Sequence, residues 1–100
     1  MEAQQKVRQF IEEHDMEAKP EFRIMDLMAE VGEIAGEAAK STDYGLKKDN
    51  LNVKNDEVGD ALFSLLSICE EFDIDADEAL EESLQKYKDR IEEKGDPGSR

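Results

Sequence analysis

Two stretches of this chain, residues 25–39 and 57–72, carry carboxylates at helical spacing in largely apolar surroundings. On a wheel of about 100° per residue, Asp26, Glu30, Glu33 and Glu37 fall at i, i+4, i+7 and i+11, in a sector roughly 60° wide. Much of the remaining circumference is apolar or small, including Met25, Leu27, Met28, Val31, Ile34 and Ala38. The second stretch places Glu57, Asp60, Ser64, Ser67 and Glu71 in a sector roughly 80° wide. Val58, Leu62, Phe63, Leu65, Leu66, Ile68 and Phe72 occupy most of the rest, with Glu70 the main exception. A surface helix has a broad polar face opposite its apolar stripe. These two reverse the proportions and read as buried helices, each with a narrow acidic seam.

The flanking sequence extends the helical reading. A first helix is expected from Glu2 to His14, with Val7, Phe10 and Ile11 on its apolar face. Pro20 interrupts the pattern, and the second helix follows from about Glu21 to Lys40. The segment STDYGLKKDNLNVKN reads as a loop, partly ordered around Tyr44 and Leu46. Asn55 or Asp56 can cap a third helix ending near Phe72, and Asp75 or Asp77 a fourth from Ala76 to Lys94. No apolar alternation marks a strand. The expected fold class is all-α: an antiparallel helical bundle of four main helices per chain, completed by oligomerisation. Residues 1–94 form one domain in this reading, and 95–100 a flexible tail.

Charge narrows the partners. The formal net charge is -14, opposite in sign to the basic footprint that nucleic acid or an anionic membrane attracts. Such acidity fits a solvated surface in a salty cytoplasm, or cation binding. No run has transmembrane length and the start lacks a signal-peptide core, so a cytoplasmic location is expected. The lone cysteine, Cys69, lies in ALFSLLSIC and reads as a small core residue.

If the two seams face each other, Glu30, Glu33, Glu57 and Asp60 converge. Such a cluster repels itself and either takes up protons or binds metal. All-oxygen ligation suits Mg²⁺ or Mn²⁺. A helical di-iron site would need Glu-x-x-His on two helices, and the only histidine, His14, follows Ile11 at that spacing. The plainer reading is that each seam is the strip left facing water. Gly32 and Gly59 lie between the paired acids, where they either let a neighbouring helix come close or do nothing in particular. Lys86 and Arg90, at i, i+4, form a solvated pair or a phosphate clamp. No Walker loop, GxSxG or Cys/His nucleophile arrangement is present, so any hydrolysis would use a metal-activated water.

EVGE followed by EVGD resembles the ExxE–spacer–ExxD signature of MazG-type, all-α nucleoside triphosphate pyrophosphohydrolases. DLMAEVGEIAGEAAK is similar to the family's first metal helix, and the segment from DEVGDALFSLL to KYKDR to its second metal helix and the helix after it. The likeness spans about residues 22–91. It implies cleavage of a nucleotide substrate between the α- and β-phosphates, to monophosphate and pyrophosphate, with Mg²⁺ (or Mn²⁺) as cofactor. It carries the metal-ligand role to Glu30, Glu33, Glu57 and Asp60, and phosphate binding to Lys86 and Arg90. Glu37, one turn beyond Glu33, is an accessory residue by our reading of the stripe. Homodimers or homotetramers are implied as well.

The chain departs from common family patterns at Ala29, where many members have Glu, at Leu84, where Asn is common, and in having no tryptophan. Ser64 and Ser67 stand in for other polar residues. These differences bear on base recognition more than on metal binding, and Tyr44 either stacks on a base or packs locally. Phosphoribosyl-ATP pyrophosphohydrolase-like and dUTPase-like enzymes are the alternatives within the superfamily. A non-catalytic helical module that binds metal or nucleotide is the alternative outside it.

Overall fold

The helical signals become four α-helices: α1 (Glu2–Glu13), α2 (Pro20–Ser41), α3 (Asn55–Glu71) and α4 (Ala76–Lys94). The structure is a computed structural model that describes residues 2–98. No strand occurs among the described residues. Residues 99 and 100, the end of the expected tail, lie outside them.

Local chemistry explains most helix ends. Pro20 opens α2 behind Lys19, a position where proline's fixed φ suits the helix and its missing N–H costs nothing. Asp75 caps α4 by accepting a hydrogen bond from Glu78 N at 3.1 Å. Gly95 stops that helix at φ 85°, with its N–H donating to Ile91 O at 2.9 Å. The expected cap of α3 is corrected. Extended Lys54 holds the capping position without a side-chain bond, and Asn55 and Asp56 fall inside the first turn. There Asp56 and Glu57 meet the positive end of the helix dipole instead.

The loop after α2 is held around Tyr44 and Leu46 by their backbone, Tyr44 N donating to Ala39 O at 2.6 Å and Leu46 N to Asp43 O at 3.2 Å, while their side chains are exposed. Thr42 Oγ1 donates to Ala38 O at 2.9 Å and accepts from Gly45 N at 3.2 Å. Asp43, Tyr44 and Gly45 all have positive φ, and a short 3-10 turn follows at Lys48–Asn50.

Packing centres on α3. Gln4 and Phe10 of α1 meet Glu70 and Phe63 respectively, so α1 runs antiparallel to α3. The Phe10 and Phe63 rings meet edge-on at 6.2 Å. α2 also packs along α3, antiparallel to it: Glu37 and Glu33 share a cleft with Glu57, while Glu30 and Asp26 share one with Asp60. Gln4 is the main polar tie. Its amide nitrogen donates to Glu70 Oε2 at 2.8 Å and to Ile74 O at 2.7 Å, and its oxygen accepts from Ala76 N at 2.8 Å. One buried side chain thus joins α1 to α3 and to the start of α4.

Among the described residues the buried apolar set is small: Val7, Leu66 and Cys69, of which Leu66 is fully buried. Burial, then the charge on Glu70, pushes the Cys69 thiol up, as suits a core residue and not a nucleophile. The expectation that α2 and α3 are buried all round is corrected for the single chain. Ile24, Met28 and Val31 on α2, and Val58, Leu62 and Leu65 on α3, are exposed because α2 has only α3 as a main neighbour, and α1 and α2 together leave part of α3 uncovered. Nor do Gly32 and Gly59 serve close packing within the chain, since a Cβ at either would meet nothing within 4 Å. The fourth helix makes only sparse contact with the others. Leu80, Leu84, Tyr87 and Ile91 recur at i, i+4, i+7 and i+11 on it, each between 41% and 50% exposed.

The Gln4→Ala substitution removes three hydrogen bonds and leaves their partners half-buried. A loss of about 2–3 kcal/mol in unfolding free energy is expected from urea titration.

Candidate functional site

The two acidic seams meet along the α2–α3 contact and open into two clefts. One, of about 250 Å³, is lined by Glu33, Gly36, Glu37, Lys40 and Glu57. The other, of about 310 Å³, is lined by Met16, Arg23, Asp26, Glu30, Asp60, Phe63 and Ser64. The antiparallel register thus brings Glu33, Glu37 and Glu57 together, and separately Glu30 and Asp60. No group of three or more His, Cys, Asp or Glu side chains is arranged to hold one metal ion among the described residues.

The electrostatics centre on Glu30. Its carboxyl is raised above the ordinary 4.5, first by desolvation, then by the charges of Glu33 and Asp60. A hydrogen bond with Glu33 and the charge of Asp26 add to the shift. Glu30 Oε2 and Glu57 Oε2 are buried without a hydrogen-bond partner. Buried carboxylate oxygens are ordinarily satisfied. One such orphan on each helix, in an oxygen-rich surround, fits a hard divalent cation.

Lys86 and Arg90 line neither cleft. The Lys86 ammonium lies 5.3 Å from the centroid of the Tyr87 ring, and Arg90 Nη1 donates to Pro97 O at 3.3 Å. Both stand on the sparsely packed α4, so the single chain does not bring them to the carboxylates. Tyr44 also lines neither cleft. His14 is exposed at the end of α1, its ring 4.3 Å from that of Phe10.

Sequence reasoning passed over two basic residues that do line the clefts, Lys40 and Arg23. A signal was present. Basic residues are scarce, and Lys40 follows Glu37 by three positions while Arg23 precedes Asp26 by three and Glu30 by seven. Each therefore stands beside the acidic seam on the helix surface.

Residues 19–94 match the family model of the MazG nucleotide pyrophosphohydrolase domain. The chain belongs to this family, and both acidic motifs fall within the matched segment. The family is typically dependent on a divalent metal ion. No curated protein and no solved structure shows significant similarity to the chain.

The raised Glu30 pKa has a signed consequence. Between the unfolded value near 4.5 and the higher folded value, the folded chain binds more protons than the unfolded one. The Glu30 contribution to stability therefore falls as pH rises through that window. In metal-free, low-salt buffer Glu30→Gln is expected to raise the melting temperature at pH 7. The same variant should weaken its decline above pH 4.5, as followed by circular dichroism.

Proposed function

We propose that this protein is a nucleoside triphosphate pyrophosphohydrolase that releases nucleoside monophosphate and pyrophosphate with Mg²⁺ as cofactor. The observation that carries the reading is the pair of orphaned buried oxygens, Glu30 Oε2 on α2 and Glu57 Oε2 on α3, in a MazG domain. Glu30, Glu33, Glu57 and Asp60 are the residues that would hold the ion, with Mn²⁺ as a substitute. When bound, the ion supplies Lewis-acid neutralisation of phosphoryl charge and a better water nucleophile.

The chain's own residues do the rest. Glu30 and Asp60 line the cleft toward the start of α2, and Glu33 and Glu57 the cleft toward its end. Glu37, in the cleft with Glu33 and Glu57, orients these carboxylates or takes the proton of the attacking water. Lys86 and Arg90 hold substrate phosphates, the first as a point charge and the second as a planar fork.

In this reading the working enzyme is a homodimer or homotetramer. The small core, the exposed apolar faces of α2 and α3 and the apolar stripe of α4 all support burial against a second copy. Assembly also supplies a route for Lys86 and Arg90 to reach carboxylate clefts. A cytoplasmic setting agrees with a free, buried Cys69.

Two measurements test these claims. Pyrophosphate release from a nucleotide panel should require Mg²⁺. Glu33→Gln and Asp60→Asn should each lower it by roughly a hundredfold or more. Wild-type turnover and metal dependence in both variants would contradict the mechanism, and so would binding without turnover by the wild type. Light scattering after gel filtration should give a dimer or tetramer at micromolar concentration. Leu84→Glu with Ile91→Glu should shift it to monomer, and a monomeric wild type would contradict the assembly.

A further inference from the structure

We infer that Arg23 and Ser64 form a phosphate-binding subsite in the cleft shared with Asp26, Glu30 and Asp60. This inference rests on the pyrophosphohydrolase reading, and it concerns two residues outside the ExxE and ExxD motifs.

Arg23 is 8% exposed and makes no ion pair with any carboxylate among the described residues. A buried charge is ordinarily paired. Its Nη2 donates to Met16 O, and the guanidinium carbon lies 5.7 Å from the centroid of the Phe63 ring. The carbonyl and the ring fix the group while leaving most of its five N–H donors without a protein acceptor. No Arg23 nitrogen is among the buried atoms that lack partners, so the remaining donors reach the solvent of a cleft. Arg23 also lines a neighbouring cleft with Arg8, Ile11 and Ser67, but only in the larger one does it meet the motif acids.

Ser64 is the second observation. It is 5% exposed, lines the same cleft, and its hydroxyl has no protein partner. By contrast Ser67, one turn on, donates back to Phe63 O at 2.7 Å and is satisfied within its own helix. Two polar side chains more than nine-tenths buried thus present donors to one cavity that already holds three carboxylates.

The ligand class follows from the donor set. A planar fork and a hydroxyl suit the tetrahedral oxygens of a phosphoryl group. The carboxylates beside them would repel an anion arriving alone. A divalent cation, which Asp60 and Glu30 would hold, would offset this repulsion, and Arg23 and Ser64 would donate to the phosphate oxygens. This gives the single chain a phosphate contact on α2, independent of Lys86 and Arg90.

The test uses the full chain, with inorganic pyrophosphate as probe, with and without Mg²⁺. The side-chain Nε–H resonance of Arg23, assigned by its disappearance in Arg23→Lys, is followed by nuclear magnetic resonance. A saturable shift with pyrophosphate and Mg²⁺ together, and none with Mg²⁺ or pyrophosphate alone, is expected. Arg23→Lys keeps the charge and loses the fork. It should weaken pyrophosphate binding roughly tenfold to a hundredfold, and Ser64→Ala by less. Where turnover is present, the loss should appear in KM more than in kcat. An unmoved Arg23 resonance at saturating probe overturns the subsite, as does wild-type affinity in a folded Arg23→Lys. The titration is made on the wild-type protein, so it decides the question even where the variants fold poorly. A chain that turns over no nucleotide yet shows the shift would remove the enzymatic reading and leave the subsite standing.

Discussion

Packing α2 against α3 sets negative charge against negative charge. Glu30 sits beside Glu33 on its own helix and senses Asp60 across the contact. An apolar pair of helices could associate through those same surfaces without this repulsion. Instead burial and like charge raise the Glu30 carboxyl, and an oxygen on each helix is left without a partner. The α1–α3 contact, with Gln4 bonded across it and Phe10 against Phe63, helps hold the scaffold on which that arrangement sits. In the metal-free chain this repulsion opposes stability, and a cation held between the helices would relieve it.

Much of the framework is legible from residues alone. The span of α4 follows from Asp75 at one end and Gly95 at the other, because a capping carboxylate and a left-handed glycine act locally. The seams are legible too, since the helical period is fixed by backbone geometry. What escapes is tertiary. Nothing in the local sequence says that Lys54, without a capping bond, precedes α3 while Asn55 and Asp56 fall within its first turn. Neither does it say that the four motif acids divide between two clefts, which depends on the offset of two helices.

The polar core residues show the same limit. Gln4 looks like one of two adjacent surface glutamines until the fold brings Glu70, Ile74 and Ala76 around it. Arg23 looks like a solvated charge at a helix start, yet it is buried over Phe63. The reading of α2 and α3 as buried helices runs ahead of the single chain. One hundred residues supply too few neighbours to cover them, and α4, with its own apolar stripe, makes only sparse contact. The exposed apolar residues of all three helices are what support the proposed burial against a second copy of the chain.

Whether the α2–α3 carboxylates form a divalent-cation site is decided by crystals grown with Mn²⁺ and measured at the manganese absorption edge. Anomalous density is expected between the two helices, within coordination distance of oxygens from Glu30, Glu33, Glu57 and Asp60, with Glu30 Oε2 and Glu57 Oε2 among the ligands. Density confined to another acidic region, such as the turn of Asp73 and Asp75, or no density between α2 and α3 at millimolar Mn²⁺, would contradict it.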